Sequence, residues 1–195
     1  MNNKTSEGTM ITRRQLMCGC FVSSLPAIAP ISALAASTSA PYATPGHSRV
    51  LRLKHLHTHE LATFILPRNK RMVTLDDAKR FNYFLRDHHN GMVGSMDPSL
   101  ILHLMDLQES VESKDTAFEV VSAFRSSKTN AKLRRRSKRV ALNSMHLTGQ
   151  AIDIRLPGTQ LMTLRAAALD LKAGGVGLYK KSSFIHFDTG RVRHW

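Results

Sequence analysis

Two short segments constrain the fold more tightly than any others in the chain: "AIDIRL", residues 151–156, and "FIHFD", residues 184–188. Both alternate. In the first, Ile152, Ile154 and Leu156 share one face of a strand, and Asp153 with Arg155 the other; in the second, Ile185 and Phe187 oppose His186 and Asp188. A sheet that buries both apolar faces brings Asp153 and His186 together on its other side. His146, in the loop "SMHLTGQ" before the first of these strands, can join them. A partly buried carboxylate such as Asp153 needs a positive partner.

The rest of the chain supplies elements that can build such a sheet. "RVLRLKHLHTHELATFIL" holds two alternating runs with a polar reversal near Thr58 to Glu60, which predicts a hairpin. In "TLDDAKRFNYFLRDHH", Thr74 and Asp77 form a cap pair, and Leu75, Phe81, Phe84 and Leu85 recur at helical spacing. In "DPSLILHLMDLQESV", Asp97 can cap and Pro98 can take the first helical position, with Ile101, Leu104, Met105 and Leu107 on one apolar face. "FEVVSAF" reads as a strand followed by a basic helix to about Val140. "TQLMTLRAAALDLKAGG" reads as a helix ended by Gly174 and Gly175, and "GVGLYKKSSFIHFDTG" as a closing hairpin. The pattern predicts a single compact α+β domain over 49–195, with a mainly antiparallel sheet and flanking helices. No internal repeat is visible.

The N-terminus points to export. "ITRRQLM" sets Arg13 and Arg14 before the uncharged "LMCGCFVSSLPAIAPISALAAS", with Ala33 and Ala35 spaced as a processing site. Residues 1–35 therefore resemble a twin-arginine signal peptide, which implies a periplasmic protein. Pro26, Pro30 and Gly19 weaken a membrane span of roughly 20 apolar residues, so no stable membrane insertion is expected after cleavage. Cys20 lies near the start of the apolar segment, against a lipoprotein reading. Cleavage removes Cys18 and Cys20, both cysteines of the chain, so the exported domain has no disulfide. "ASTSAPYATPGHS", residues 36–48, reads as a flexible leader.

Most of the net charge of +14 stays with the domain and suits a polyanionic partner. For an exported protein that partner is cell-wall peptide or lipid head group; no nucleic-acid partner is expected. "KLRRRSKR", residues 132–139, carries much of this charge, either as a solvated helix face or as a binding patch. His55, His57 and His59 in "HLHTHE" alternate and could bind a metal from one strand face; a surface hairpin is the simpler reading.

Two imidazoles and a carboxylate, with no cysteine nearby, are the ligand set of a catalytic zinc ion whose fourth position stays open. A dication would also be the partner that Asp153 needs. Ten histidines make accidental spacings easy to find, so on the residues alone the alternative stands that His146, Asp153 and His186 never meet.

"SMHLTGQAID" and "FIHFDTGRVRHW" resemble the S-x-H-x-x-G-x-A-x-D and F-x-H-x-D-x-G motifs of the MepK-type murein endopeptidases, a branch of the zinc peptidases related to D-alanyl-D-alanine carboxypeptidases. "LHT", "FNYFLRDH", "SAFRS", "AGGVG" and the terminal "RHW" extend the resemblance over nearly the whole exported domain. It implies the hedgehog/D-Ala-D-Ala-peptidase-like α+β fold, His146, Asp153 and His186 as ligands of Zn2+, and hydrolysis of peptide crosslinks in peptidoglycan; a monomer is expected. Ser122 and Arg125 match an S-x-x-R motif whose arginine, by the resemblance, holds a substrate carboxylate or the developing oxyanion. Ser144, the first residue of the S-x-H motif, is a further substrate-binding candidate. The residue before Arg125, often Tyr in that motif, is Phe124 here. Related carboxypeptidases carry Glu or His two or three residues before the last ligand, where this chain has Phe184 and Ser183. Asp188 is then the first candidate for general base, or for orienting a ligand, and His194 the second. The competing readings are a D,D- or L,D-carboxypeptidase on stem peptides and a non-catalytic, zinc-stabilised wall-binding module.

Overall fold

The computed structural model describes residues 48–195 apart from 112–114 and 139. The export segment expected over 1–35, with both cysteines, lies outside the described residues, as does the leader up to residue 47. Its last residue, Ser48, opens the first strand.

The hairpin forms where alternation predicts it, from β1 (Ser48–His55) and β2 (Leu61–Pro67). Leu51 and Leu53 turn inward on β1, as do Phe64 and Leu66 on β2. Further strands follow at β3 (Phe118–Ser122), β4 (Ala151–Arg155), β5 (Gly175–Tyr179), β6 (Phe184–Asp188) and β7 (Arg193–His194). All seven join one sheet in the order β2-β1-β3-β4-β6-β5-β7. β1/β2, β3/β4, β4/β6 and β5/β6 run antiparallel, whereas β1/β3 and β5/β7 are parallel. With helices α1 (Leu75–Phe84), α2 (Ser99–Ser110), α3 (Ser127–Arg136) and α4 (Leu161–Asp170), this is the α+β domain that the pattern predicts. Among the described residues no helix is long and apolar enough to cross a membrane.

Local chemistry sets the helix ends. Thr74 Oγ1 accepts the Asp77 amide at 3.1 Å and donates to the Asp77 carboxylate at 2.7 Å, a reciprocal cap. Asp97 Oδ1 accepts the Ser99 amide, so Asp97 does cap α2 and Pro98 sits in helical geometry just inside it. Three expectations need correction. Leu75 is 71% exposed, because the first turn of α1 projects past the core that takes Phe81, Phe84 and Leu85. The basic helix stops at Arg136 rather than near Val140, and Arg134, Arg135 and Arg136 form an exposed last turn where cations favour the helix dipole. α4 ends at Asp170, not at the glycine pair; Lys172 (φ 51°) takes the left-handed turn, and Gly175 already belongs to β5.

The core packs on one face of the sheet. Ile152, Ile154, Ile185 and Phe187 from β4 and β6 are inaccessible there, together with Leu100, Ile101, Leu104 and Met105 of α2 and Leu164 and Ala168 of α4. α2 lies against β1 and α4 against β5 and β6. With these apolar side chains committed to one side, every alternate residue of β4 and β6 is pushed to the other.

Candidate active site

The antiparallel pairing of β4 and β6 sets Asp153 directly opposite His186, and cross-strand partners share a face. β3 completes the wall through an irregularity. Val120 pairs with Ile154 on the core face, but the register shifts before Ser122, which pairs with Asp153 instead. Strict alternation would put Ser122 on the core side with Val120; the bulge turns it to the site. His146 arrives from the loop before β4. The turn around it is tight: Gly149 has φ 69°, and a side chain there would overlap the Ser95 carbonyl.

His146, Asp153 and His186 converge, with burial at 2, 4 and 7% relative exposure. His146 Nε2 lies 3.2 Å from Asp153 Oδ1 and 3.2 Å from His186 Nδ1, which is itself 3.0 Å from Asp153 Oδ1. Each ring is fixed from behind. The Nδ1–H of His146 donates to the Ala123 carbonyl at 2.6 Å, and the Nε2–H of His186 donates to Asp188 Oδ2 at 2.9 Å. Both acceptors lack protons, so the tautomers follow, and the remaining nitrogen lone pairs face a carboxylate oxygen at the centre. Three electron-rich atoms aimed at one point are mutually repulsive unless a cation lies between them. They are also one ligand atom from each of three residues, close enough to hold one ion. The donor set fits a divalent metal and matches the open three-ligand pattern of a catalytic zinc site.

The electrostatics agree for Asp153 and His146, and His186 is the exception. Burial opposes charge on Asp153, but His146, His186 and the Arg125 guanidinium outweigh it and hold the carboxyl well below the usual range. Burial pushes His146 down toward the neutral form that a ligand requires. His186 is burial-opposed too, yet its bonds to Asp153 and Asp188 raise it.

Arg125 spans the site's edge. Its Nη2 donates to Asp153 Oδ2, and its Nε–H donates to Ser122 Oγ at 2.8 Å, so Ser122 aims the guanidinium. Ser144 lines the adjoining cavity of about 340 Å³, and its hydroxyl accepts the His146 amide at 3.4 Å. Phe124, in place of a tyrosine, packs against Gly94.

Asp188 is fully buried and saturated. Besides His186, it accepts from Arg193 Nη1 and Nη2 at 3.0 and 2.7 Å and from the Gly175 and Gly190 amides at 2.9 Å. Burial would raise its pKa, but these donors, led by His186 and Arg193, hold it far below the ordinary carboxylate range. His194 is exposed and is not brought to the site: β7 alternates, so Arg193 and Trp195 line the cavity and His194 points away. Arg193, bonded to Asp188, and the Trp195 indole, 5.2 Å from the His186 ring, are neighbours of the cluster that the sequence does not single out as site residues. The signal was there in the alternation of "RHW", two residues on one face and one on the other. The histidines of "HLHTHE" do not share a strand face. β1 ends at His55, which is buried; His57 stacks on His88 at 4.1 Å, and His59 (φ 60°) is exposed in the turn.

The family described as Peptidoglycan L,D-endopeptidase MepK matches residues 43–195. The chain belongs to this family. Relatives include the peptidoglycan L,D-endopeptidases MepK of Escherichia coli K12 and of Shigella flexneri, each 38% identical over 186 residues, covering 94% of this chain and 96% of theirs. A relative from Haemophilus influenzae is 38% identical over 167 residues, 85% of this chain and 88% of its own. No solved structure matches the chain significantly. Membership of the MepK family agrees with the motif residues that form the cluster, since His146, Asp153 and His186 lie within the matched span.

Proposed function

We propose that the protein is a zinc-dependent peptidoglycan endopeptidase that hydrolyses L,D-peptide bonds in wall crosslinks, after export directed by residues 1–35. The observation that carries this reading is the convergence of three ligand atoms whose rings are fixed from behind, beside a cavity edged by a positioned arginine. The L,D specificity is taken from the names of the relatives.

His146 Nε2, Asp153 Oδ1 and His186 Nδ1 would hold the ion. When bound, zinc supplies Lewis acidity toward a carbonyl oxygen and lowers the pKa of water. Arg125, aimed by Ser122, faces developing negative charge on the substrate and stabilises it more in the transition state than in the ground state. Ser144 offers a hydroxyl to the bound peptide. Asp188, with five donors around it, suits the orienting role: it keeps the proton of His186 on Nε2 and thereby presents Nδ1 to the centre. His194, facing away, has no part in this reading. No serine nucleophile is invoked, so β-lactams should not inhibit.

The test is mass spectrometry of crosslinked muropeptides incubated with the purified protein, with and without a chelator, beside His186→Ala. Chelator-sensitive conversion of dimers to monomers, lost in the variant, is expected. A folded, zinc-loaded protein that binds the polymer but releases no peptide would refute turnover in favour of a binding module.

A further inference from the structure

A second groove adjoins the catalytic cavity. Met162 and Arg165 of α4, Leu178, Lys180 and Lys181 line it, and it shares Tyr179, Ser182 and Trp195 with the cavity, so the two are continuous past the Trp195 indole. At about 740 Å³ it is larger than the cavity itself and has room for a peptide arm.

Its charge is one-sided. Arg165, Lys180 and Lys181 contribute three cationic side chains to the lining and no lining side chain carries a carboxylate. Several arginines that are buried or half-buried elsewhere are matched within the protein, Arg49 with Asp106 and Glu109 and Arg86 with Glu60, as is the more exposed Arg155 with Glu119, whereas Arg134, Arg135, Arg136 and Arg191, unmatched among the described residues, are exposed. The two arginines at the cavity are matched as well, Arg125 with Asp153 and Arg193 with Asp188. Among the described residues Arg165, Lys180 and Lys181 form no ion pair, and the buried Nε of Arg165 has no hydrogen-bond partner. Packing therefore holds this guanidinium, and its fork is left to take an external planar anion. Met162, Leu178 and Tyr179 give the same groove apolar walls, suited to the aliphatic parts of a short peptide.

We infer that this groove is a carboxylate-binding subsite, anchored by Arg165, for the second peptide arm of the substrate. The inference rests on the proposed activity, because a crosslink joins two arms and the cavity beside the metal cluster accommodates the bond between them. One arm then lies along the Arg125 side and the other passes Trp195 into the basic groove.

Trp195 is the chain's only tryptophan and stands at the junction, so its fluorescence reports occupancy directly. The metal-loaded wild-type protein is titrated with an uncrosslinked, diaminopimelate-containing stem tripeptide and with the same peptide amidated at its carboxyls. The native peptide is expected to bind about tenfold more tightly, the discrimination of roughly one charge-assisted hydrogen bond. Arg165→Gln is expected to lose that factor, with no further loss on amidation, and Lys181→Gln to lose about two- to threefold. Equal affinity of the wild type for the two peptides, no saturable signal with either, or unchanged discrimination in a folded Arg165→Gln protein would overturn the subsite. The wild-type comparison stands without any variant, and neither titration needs turnover. A protein that discriminates in this way yet leaves crosslinked dimers intact would refute the proposed activity while the subsite stood.

Discussion

Arg193→Ala should cost stability and, on the proposed zinc binding, metal affinity, because Arg193 holds the carboxylate that bonds the His186 ring from behind. The guanidinium makes two charge-assisted bonds to a carboxylate that is itself inaccessible to water, at 2.7 and 3.0 Å. Each such bond contributes about 1.5–3 kcal/mol. Arg193 is 28% exposed, so water replaces part of the loss, and Asp188 retains the Gly175 and Gly190 amides. A net destabilisation of about 2–3 kcal/mol results, well short of stranding a wholly unpaired buried charge. For a domain of this size that lowers Tm by about 4–12 °C. A loosened Asp188 also frees the His186 ring, and losing such an outer partner weakens metal binding about 10–100-fold. Differential scanning calorimetry and zinc titration against a competing chelator measure the two effects, with Arg191→Ala, an exposed neighbour, as control. An Arg193→Ala protein with wild-type Tm and wild-type zinc affinity would refute the chain of contacts from Arg193 through Asp188 to His186.

Other perturbations separate orientation, backbone packing and protonation. Asp188→Asn should lower zinc affinity by the same route and cut turnover; near-normal turnover in Asp188→Asn, with His194→Ala inactive, would reverse the roles given to these residues. Gly174→Ala should abolish soluble expression or lower Tm steeply, because a Cβ there overlaps the Asp188 carbonyl oxygen; a wild-type melt would show that the β5–β6 backbone relaxes freely. Burial, reinforced by neighbouring imidazoles, lowers His55 and His88 to about 4 from 6.5. The unfolded chain therefore takes up these protons first, so stability is intact above about pH 6.5 and falls as pH drops toward 4. Urea titrations between these limits should show the decline, and His88→Phe should flatten it.

Much of this was legible in the sequence because a period of two is hard to mistake. The alternation of "AIDIRL" and "FIHFD" placed five apolar residues in the core and set Asp153 and His186 on the other face. The sheet required only that both strands join it. The cap pair of Thr74 and Asp77 was equally readable, since side chain and backbone meet within one turn. Helix ends were less so: α4 stops at Asp170 because Lys172 accepts a left-handed turn that composition assigned to glycine. Proximity in space was not legible at all. Only the bulge in β3 turns Ser122 toward Arg125, only the fold surrounds Asp188 with five donors, the observation behind the orienting role proposed for it, and only β7 pairing beside β5 brings Arg193 and Trp195 to the cavity while sending His194 away. Sequence by itself determined which side chains each strand presents, because alternation is local stereochemistry. The tertiary structure decided which of them meet, because register, bulges and strand order depend on contacts between segments distant along the chain.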